Sequence, residues 1–255
     1  MKLKLIISIF ICFLFWGCNK RVTTNIPSAI LLTNIRVVQN ATGNYSGFDF
    51  TYDGNNRLIK CLHDSLFTYG SFADTCAITR NASGIINLLT GNGGSFYVVS
   101  TDASARYVSR VGNLAGDSIC FSYSGNNITQ IQYHLGSNNV LVTFSLTYDV
   151  NGNITVLQYL AGSYSETYTF VYDNMVNPLR LNTEAVLLDL YPVWHNNISL
   201  VGGNNIIKAT YQDSSSPNIW VTNYVYTYNS NNMPLSAIGT QTPGRQTSTI
   251  TYTYQ

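Results

Sequence analysis

The chain has 255 residues, of which 45% are hydrophobic, so it is long enough to bury a sizeable core as one or two domains. Only 10% of the residues are charged and the formal net charge is +1, so no strong field attracts nucleic acid or anionic lipid. The surface is therefore expected to be neutral and polar, built from Asn, Ser, Thr, Gly and the hydroxyl groups of 19 tyrosines.

Residues 1–17 have the pattern of an export signal. Two lysines give a positive start, and an apolar run from Leu5 to Phe15 follows that is too short to span a bilayer as an ordinary helix. Gly17 directly before Cys18 resembles the lipobox of bacterial lipoproteins, whose processing cleaves before the cysteine and acylates it. The resemblance implies that Cys18 is the lipidated first residue of the mature chain. An ordinary secretory peptide and a short signal anchor are the alternatives.

The rest of the chain is expected to consist of a tether and one domain. Residues 18–28 begin with polar side chains and are predicted to be a flexible linker. Residues 29–255 are predicted to form a single β-repeat domain. Loss of the signal removes two lysines and leaves 11 basic residues against 12 acidic ones, so the mature chain stays close to neutral.

Three cysteines fall within the expected domain, at Cys61, Cys76 and Cys120. Export places them in an oxidising compartment, where a disulfide can form. Cys61 lies in the strand after the first turn and Cys76 in the next strand along, so these two are candidate cross-strand partners. Three buried thiols that act as small hydrophobic groups are the alternative. No Cys-x-x-Cys pair occurs, so the spacing is not that of a zinc site.

A repeat dominates the sequence after the linker. In its clearest copy, from Tyr148 to Tyr159, a strand ends at Tyr-Asp, an Asn/Gly turn follows, and a second strand begins. The apolar residue after the turn recurs eight times at intervals of 21 to 27 residues, at Leu58, Ile85, Tyr107, Ile128, Ile154, Leu179, Ile206 and Met233. This periodicity predicts stacked antiparallel β-hairpins.

The turns and the strands that follow them predict how the hairpins bend. Asp53 and Asp149 stand where Asp and Asn side chains close turns on the backbone, so they are interpreted as turn formers rather than as acids. After the turn, apolar residues fall at positions 0, +3 and +5, as at Ile154, Leu157 and Tyr159. One extra residue, a β-bulge, restores the inward register and increases the twist. The predicted fold is all-β, an antiparallel β-hairpin repeat meander with a curved or rolled sheet.

One unit departs from this pattern. The expected strand after Asn177-Pro178 is missing, and a helix-forming run stands in its place. Pro192 ends this run, and a capping residue precedes it. We expect one short amphipathic helix over residues 184–191 that covers an end or an edge of the sheet.

No arrangement of residues points to catalysis, to a metal or to a cofactor. No histidine pair has metal-ligand spacing, and no two carboxylates are placed as a glycosidase needs them. A Ser-His-Asp site can still assemble in space, since such triads ignore sequence order. The candidate ligand-binding residues are aromatic and amide side chains near the irregular unit: Trp194, Trp220, His195 and Asn196. They suit a sugar ring or an extended polymer, whereas the plainer interpretation is that both indoles fill core.

The segment from Tyr52 to Leu58 resembles the YD repeat of Rhs-like proteins. The order of Tyr172-Asp173, Asn177-Pro178 and Asn204-Asn205 is similar to that in Bacteroidota lipoproteins of unknown function with YD-like repeats. The resemblance implies a cell-envelope lipoprotein of the outer membrane with an all-β repeat fold, and it supplies no catalytic residues. Surface lipoproteins of this lineage carry acidic residues after the lipidated cysteine. Residues 19–23 contain none, which favours the periplasmic face.

The sequence therefore predicts a non-enzymatic, lipid-anchored β-repeat scaffold or binding module of the cell envelope. Its expected contacts are the membrane, through the lipid, and a glycan or an envelope protein, with no nucleic acid. A carbohydrate-binding lipoprotein of a surface glycan uptake system is the alternative. A glycan hydrolase is a more distant one.

Overall fold

The computed structural model divides the chain into two units, Met1–Ile30 and Leu31–Gln255. It describes residues 30–67, 70–82, 86–91, 94–101, 108–112, 116–125, 127–136, 139–178, 202–244 and 246–255. The predicted signal and linker, and the helix predicted at 184–191, lie outside these residues. Within them, no helix has the length and apolar character needed to cross a membrane.

The described part of the second unit is built from sixteen β-strands in one antiparallel sheet. The strands are β1 Leu32–Gln39, β2 Tyr45–Tyr52, β3 Leu58–Phe67, β4 Gly70–Arg80, β5 Ile86–Gly91, β6 Gly94–Thr101, β7 Val108–Gly112, β8 Ser118–Ser124, β9 Asn127–Leu135, β10 Asn139–Tyr148, β11 Ile154–Ala161, β12 Tyr164–Val176, β13 Asn204–Asp213, β14 Ile219–Tyr228, β15 Pro234–Thr242 and β16 Gln246–Tyr254. Each strand pairs with its neighbours in sequence, so the predicted all-β meander is confirmed.

The sheet closes on itself, because β1 pairs with β2 on one side and with β16 on the other. The register of the closing pair runs from Leu32 opposite Tyr254 to Gln39 opposite Ser248. At the chain end, Leu31 and Gln255 exchange two backbone hydrogen bonds of 3.2 and 3.0 Å. The predicted curvature therefore continues to a closed barrel, and none of the sixteen described strands is left with an unpaired edge.

One end of the barrel carries turns closed by Asp or Asn side chains, and we call it the Asx rim. Asp149 Oδ1 accepts hydrogen bonds from the N–H groups of Asn151 at 2.8 Å and Asn153 at 2.9 Å. Asp53 and Asn229 make the same two bonds, each to the residues two and four positions on. The interpretation of these side chains as turn formers is confirmed.

The irregular unit belongs to a single turn of this rim rather than to two repeats. Asp173 Oδ1 accepts hydrogen bonds from the N–H of Met175 and from the N–H of Asn205, which lies 32 residues after Asp173 in the chain. Asn205 thus occupies the position that Asn153 holds in the turn of Asp149. Tyr172 accordingly pairs with Ile206. The sequence counted Leu179 and Ile206 as two units, which is wrong: the chain between them is an insertion within one turn.

The last repeat is also shifted by one residue from its prediction. Tyr228 pairs with Pro234, as Tyr52 pairs with Leu58 and Tyr148 with Ile154. The first residue of β15 is therefore Pro234, not Met233. Met233 instead donates its N–H to Asn229 Oδ1 inside the turn. Ile85, Tyr107 and Leu179, three other predicted repeat positions, lie outside the described residues.

A β-bulge follows the turn in several repeats, as the 0, +3, +5 spacing predicts. Across β10 and β11, Thr147 pairs with Val156 and Tyr148 with Ile154, so Thr155 is the extra residue. The Thr155 hydroxyl donates to the carbonyl of Thr147 at 3.2 Å. The same shift occurs between β2 and β3, β8 and β9, and β14 and β15. A bulge repeated at one level bends every second strand in the same sense, which curves the sheet toward closure.

A tyrosine hydroxyl bridges the gap that these bulges open at the Asx rim. The β9–β10 ladder stops at Ser145 opposite Gln130, and beyond it the Tyr148 hydroxyl donates to the carbonyl of Ile128 at 2.7 Å. Equivalent bonds of 2.6 to 2.7 Å recur in three other hairpins, from Tyr52 to Leu32, Tyr172 to Ile154 and Tyr254 to Pro234. Each phenol is the tyrosine at the end of a repeat, and each acceptor is the first or second residue of the preceding strand of its hairpin.

The inward-facing side chains form one hydrophobic core. Leu58 and Ile131 have no solvent exposure, and Ile154 and Leu157 are 2% exposed. Aromatic rings from the repeat tyrosines pack against them, including Tyr52 and the other members of the set, Tyr123, Tyr148, Tyr172, Tyr226, Tyr252 and Tyr254. At this level the interior is filled by side chains.

Removal of one bridging hydroxyl leaves a half-buried carbonyl without its donor. We expect Tyr148→Phe and Tyr254→Phe each to lower the free energy of unfolding by about 1–2 kcal/mol, measured by urea denaturation. Tyr159→Phe is the matched control, because the described residues supply no hydrogen-bond partner for its hydroxyl. Equal stability of all three variants would contradict the bridging role.

The hydrogen bonds of the Asp53 turn predict that the Asp53 carboxyl group titrates at an unusually low pH. Hydrogen bonds from the backbone N–H and the guanidinium of Arg57 lower the pKa of Asp53 from 3.8 to about 2. The folded-state pKa is depressed, so the stabilisation by charged Asp53 is present above the unfolded value and is lost as the pH falls toward 2. Carboxyl NMR should give this low midpoint in the wild type and a higher one in Arg57→Ala. A midpoint near the ordinary value in both proteins would refute the assignment.

Candidate functional site

The outside of the barrel wall carries charged and polar side chains, with exposed apolar ones such as Val171, Val225 and Ile238 among them. Asp49, Lys60 and Lys208 are exposed on its outer face, with threonines along β16 and β12 between them. The alternate residues of the same strands, such as Phe50 and Phe170, are 8% exposed and face inward. A barrel that crosses a membrane has the reverse arrangement, with an apolar band outside and a polar interior. The described wall, with charged side chains outside and an apolar core inside, differs from that arrangement.

Polar inward groups gather at the end of the barrel opposite the Asx rim, which we call the far rim. Two rows of cross-strand partners on β11 to β14 face the barrel interior there. The row nearer the rim, which we call the outer row, is Tyr159, Glu166 and Asp213. The next row away from the rim, which we call the inner row, is Leu157, Tyr168, Tyr211 and Trp220. With Tyr164, which lies two residues before Glu166, the polar and aromatic members form what we call the far-rim cluster: Tyr159, Tyr164, Glu166, Tyr168, Tyr211, Asp213 and Trp220.

Phenol hydroxyls hold the Glu166 carboxylate in place. Tyr164 donates to Oε1 at 2.8 Å, and Tyr168 donates to Oε2 at 2.7 Å. Tyr211 lies between the two acids, 3.4 Å from Glu166 Oε1 and 3.2 Å from Asp213 Oδ2. A phenol has one hydrogen, so Tyr211 shares it between both carboxylates.

The two carboxylates lie directly opposite each other on β12 and β13. Like charges in this position repel. Hydrogen bonds from the hydroxyl and the N–H of Ser215 nevertheless hold the pKa of Asp213 below its ordinary value, so it stays charged. Partial burial raises the pKa of Tyr211, and its contact with Tyr164 and the charge of Glu166 raise it further. The cluster is therefore a site of negative potential.

Aromatic surface adjoins these acids. The Trp220 and Tyr211 rings lie 5.3 Å apart at an angle of 37°, and the Tyr211 and Tyr168 rings lie 4.8 Å apart. The β14–β15 ladder begins at Val221, so Trp220 lies beyond its last pair and has no cross-strand partner on β15. Trp220 and Tyr211 are half-buried, as are Glu166 and Asp213, which leaves the cluster open to solvent.

The structure tests the sequence-predicted site residues only in part. Trp220 lies in the far-rim cluster, whereas Trp194, His195 and Asn196 lie outside the described residues, as does Cys18. Glu166, Tyr211 and Asp213 were not predicted. Their spacing along the chain carries no signal, because only the β12–β13 register brings Glu166 opposite Asp213.

Cys61 and Cys76 are Cα partners across β3 and β4, as the cross-strand prediction requires. The disulfide itself stays a prediction. Cys120 lies on β8, half-buried and on the outward side of Phe121 and Ile119. No group of three His, Cys, Asp or Glu side chains that could hold a metal ion occurs among the described residues.

A second polar group faces inward on the other side of the barrel. Ser46 Oγ lies 3.0 Å from His63 Nε2, and the His63 ring stacks on Phe48 with 4.5 Å between centroids. His63 is 7% exposed, and its Cα partner on β4 is Asp74. The hydrogen bond and the stacking make His63 a packed residue of the barrel interior.

No protein-family model matches the sequence, and no curated protein matches it. Among solved structures, the chain is similar to a porin-like protein from Bacteroides uniformis, with a TM-score of 0.62 and 16% identity over 88% of this chain and 98% of the other. A porin-like protein from Bacteroides vulgatus covers the same shares with a TM-score of 0.47 and 12% identity. The first likeness shows a shared fold.

The negative potential of the far-rim cluster predicts how Trp220 is quenched. In a Trp16→Phe/Trp194→Phe background, Trp220 is the only indole in the chain. We expect caesium ions to quench its fluorescence more efficiently than iodide, because the neighbouring carboxylates attract cations. Adding Glu166→Gln and Asp213→Asn should remove most of the difference. Equal quenching by both ions before these changes would contradict the assigned potential.

Proposed function

We propose that the protein is a non-enzymatic, lipid-anchored binding module of the bacterial cell envelope, whose barrel stands in water beside the membrane. The observation that carries the proposal is the apolar core inside the barrel, together with charged side chains such as Lys60 and Lys208 on an outer wall of mixed polarity. Neither porin-like conduction nor lipid contact suits such a wall. Binding at the far rim suits it well.

The outer charges argue against a barrel embedded in lipid. A Lys or Arg on the lipid face of a membrane barrel costs about 2–4 kcal/mol near the midplane and less near the interfaces. Lys60 and Lys208 are exposed on the outer wall, on opposite sides of the closing strands. The packed interior residues Leu58 and Ile131 would also block a wide aqueous channel at their level.

A membrane attachment must then come from elsewhere, and the lipobox-like Gly17-Cys18 supplies it. Acyl chains contribute about 0.8 kcal/mol per buried methylene group, so several chains hold a protein firmly. The domain begins at the Asx rim, where Leu31 bonds to Gln255, whereas the far-rim cluster lies at the opposite end.

The envelope location draws on two supports. The fold is shared with a porin-like protein of Bacteroides, and the sequence resembles Bacteroidota lipoproteins with YD-like repeats. The outer membrane is the proposed site, and the uncharged or basic residues 19–23 favour its periplasmic face.

Metabolic labelling with an alkyne analogue of palmitate tests the anchor. We expect the wild type to incorporate the label and Cys18→Ser to lose it, because the cysteine is the acylated residue. Cys120→Ser is the matched control and should keep the label. Label retained in Cys18→Ser would overturn the assignment.

The water-facing barrel is tested by a second form of the protein, in which residues 1–18 are replaced by a cleavable secretory signal. It should be released in the soluble periplasmic fraction, whereas the wild type should sediment with membranes. Retention of the unlipidated form in carbonate-washed membranes would show that the wall itself enters lipid.

A further inference from the structure

We propose that the far-rim cluster binds an organic cation, an alkylammonium or guanidinium group, between the carboxylates of Glu166 and Asp213 and the rings of Trp220 and Tyr211. The inference rests on the proposed function in that it treats the barrel as a binding module, and it names the chemical class of ligand. It requires no lipid anchor.

The charge balance of the cluster points to a cation. Glu166 and Asp213 are directly opposed on neighbouring strands, and the one ion pair found among the described residues joins Arg57 and Asp53 at the other rim. No described cation therefore neutralises the two acids. The shared hydrogen of Tyr211 compensates them only in part. A bound ammonium or guanidinium group would remove the repulsion and form charge-assisted hydrogen bonds with both.

The aromatic rings provide the other half of the site. A cation over the face of Trp or Tyr gains about 0.5–2 kcal/mol, most of all at Trp and where water is excluded. Trp220 and Tyr211 follow one another along the inner row, next to the outer row that holds the acids. A ligand whose charged head reaches the carboxylates thus lays its hydrocarbon part on the indole.

The acids are also preorganised to accept hydrogen bonds. Three phenols fix the Glu166 side chain, and Ser215 fixes Asp213, so little side-chain entropy remains to be lost on binding. A calcium ion fits less well, since it takes six to eight oxygen ligands. A neutral sugar would leave the opposed charges uncompensated.

Isothermal titration of the full-length protein in detergent micelles tests the proposal, with n-butylammonium, methylguanidinium, calcium and a neutral glucan oligosaccharide as probes. We expect the two organic cations to bind, more weakly as sodium chloride is added. Glu166→Gln and Asp213→Asn should each reduce their affinity by about tenfold, and Trp220→Leu by a similar factor. Asp49→Asn, which makes the same charge change on the outer wall, should leave the affinity unchanged.

Several outcomes would overturn the inference. Binding of the oligosaccharide alone, insensitive to Glu166→Gln, would make the far rim a sugar site. Preferential binding of calcium, or binding of none of the probes by a protein whose near-UV circular dichroism shows it folded, would also refute it. Cys18→Ser should bind the organic cations as the wild type does, so a failed lipid anchor and a failed cation site give different results.

Discussion

The barrel depends on one recurrent hydrogen bond, from a repeat tyrosine to a backbone carbonyl of its own hairpin. The bulge that follows each turn curves the sheet, but it also parts the two strands of the hairpin near the Asx rim. Tyr148 crosses that gap to Ile128, and Tyr52 crosses the equivalent gap to Leu32. An unpaired half-buried carbonyl would cost about 1–3 kcal/mol at each gap. The tyrosine hydroxyl satisfies this carbonyl and so offsets the cost of the curvature. The adjacent Asp or Asn closes the next turn.

This hydrogen bond explains why the apolar and aromatic residues of the repeat face the inside of the barrel. A bridging phenol must reach inward from the end of one strand, so the ring stays on the core side with the other apolar groups. The outer positions are then left for threonine, asparagine, aspartate and lysine, with exposed valine, leucine and isoleucine among them. The result has a barrel topology with an apolar core inside and charged side chains outside. The likeness to a porin-like protein therefore concerns the path of the chain. Whether the outer wall faces water or lipid depends on its side chains.

The sequence predicted the features that are local and repeated. The turn chemistry of Asp53 and Asp149, the bulge after the turn and the inward alternation all follow from short-range spacing, and the structure has each of them. Closure did not follow, because pairing of β1 with β16 joins residues more than 200 positions apart. The unit at Asp173 was misread for a related reason. Its turn is completed by Asn205, and an insertion hides that partner from any count of regular intervals.

The candidate site lay beyond prediction because it belongs to the rim that the repeat does not specify. At the Asx rim, four of the described turns use the same kind of carboxylate or amide next to a tyrosine, which leaves little freedom for other chemistry there. At the far rim, strand ends carry no such obligation, and Glu166, Tyr211 and Asp213 come together only through register. Opposed carboxylates cost stability there without improving the fold. A protein that keeps such a pair among inward-facing residues that are otherwise mostly apolar or aromatic has placed its chemistry where its architecture is least constrained.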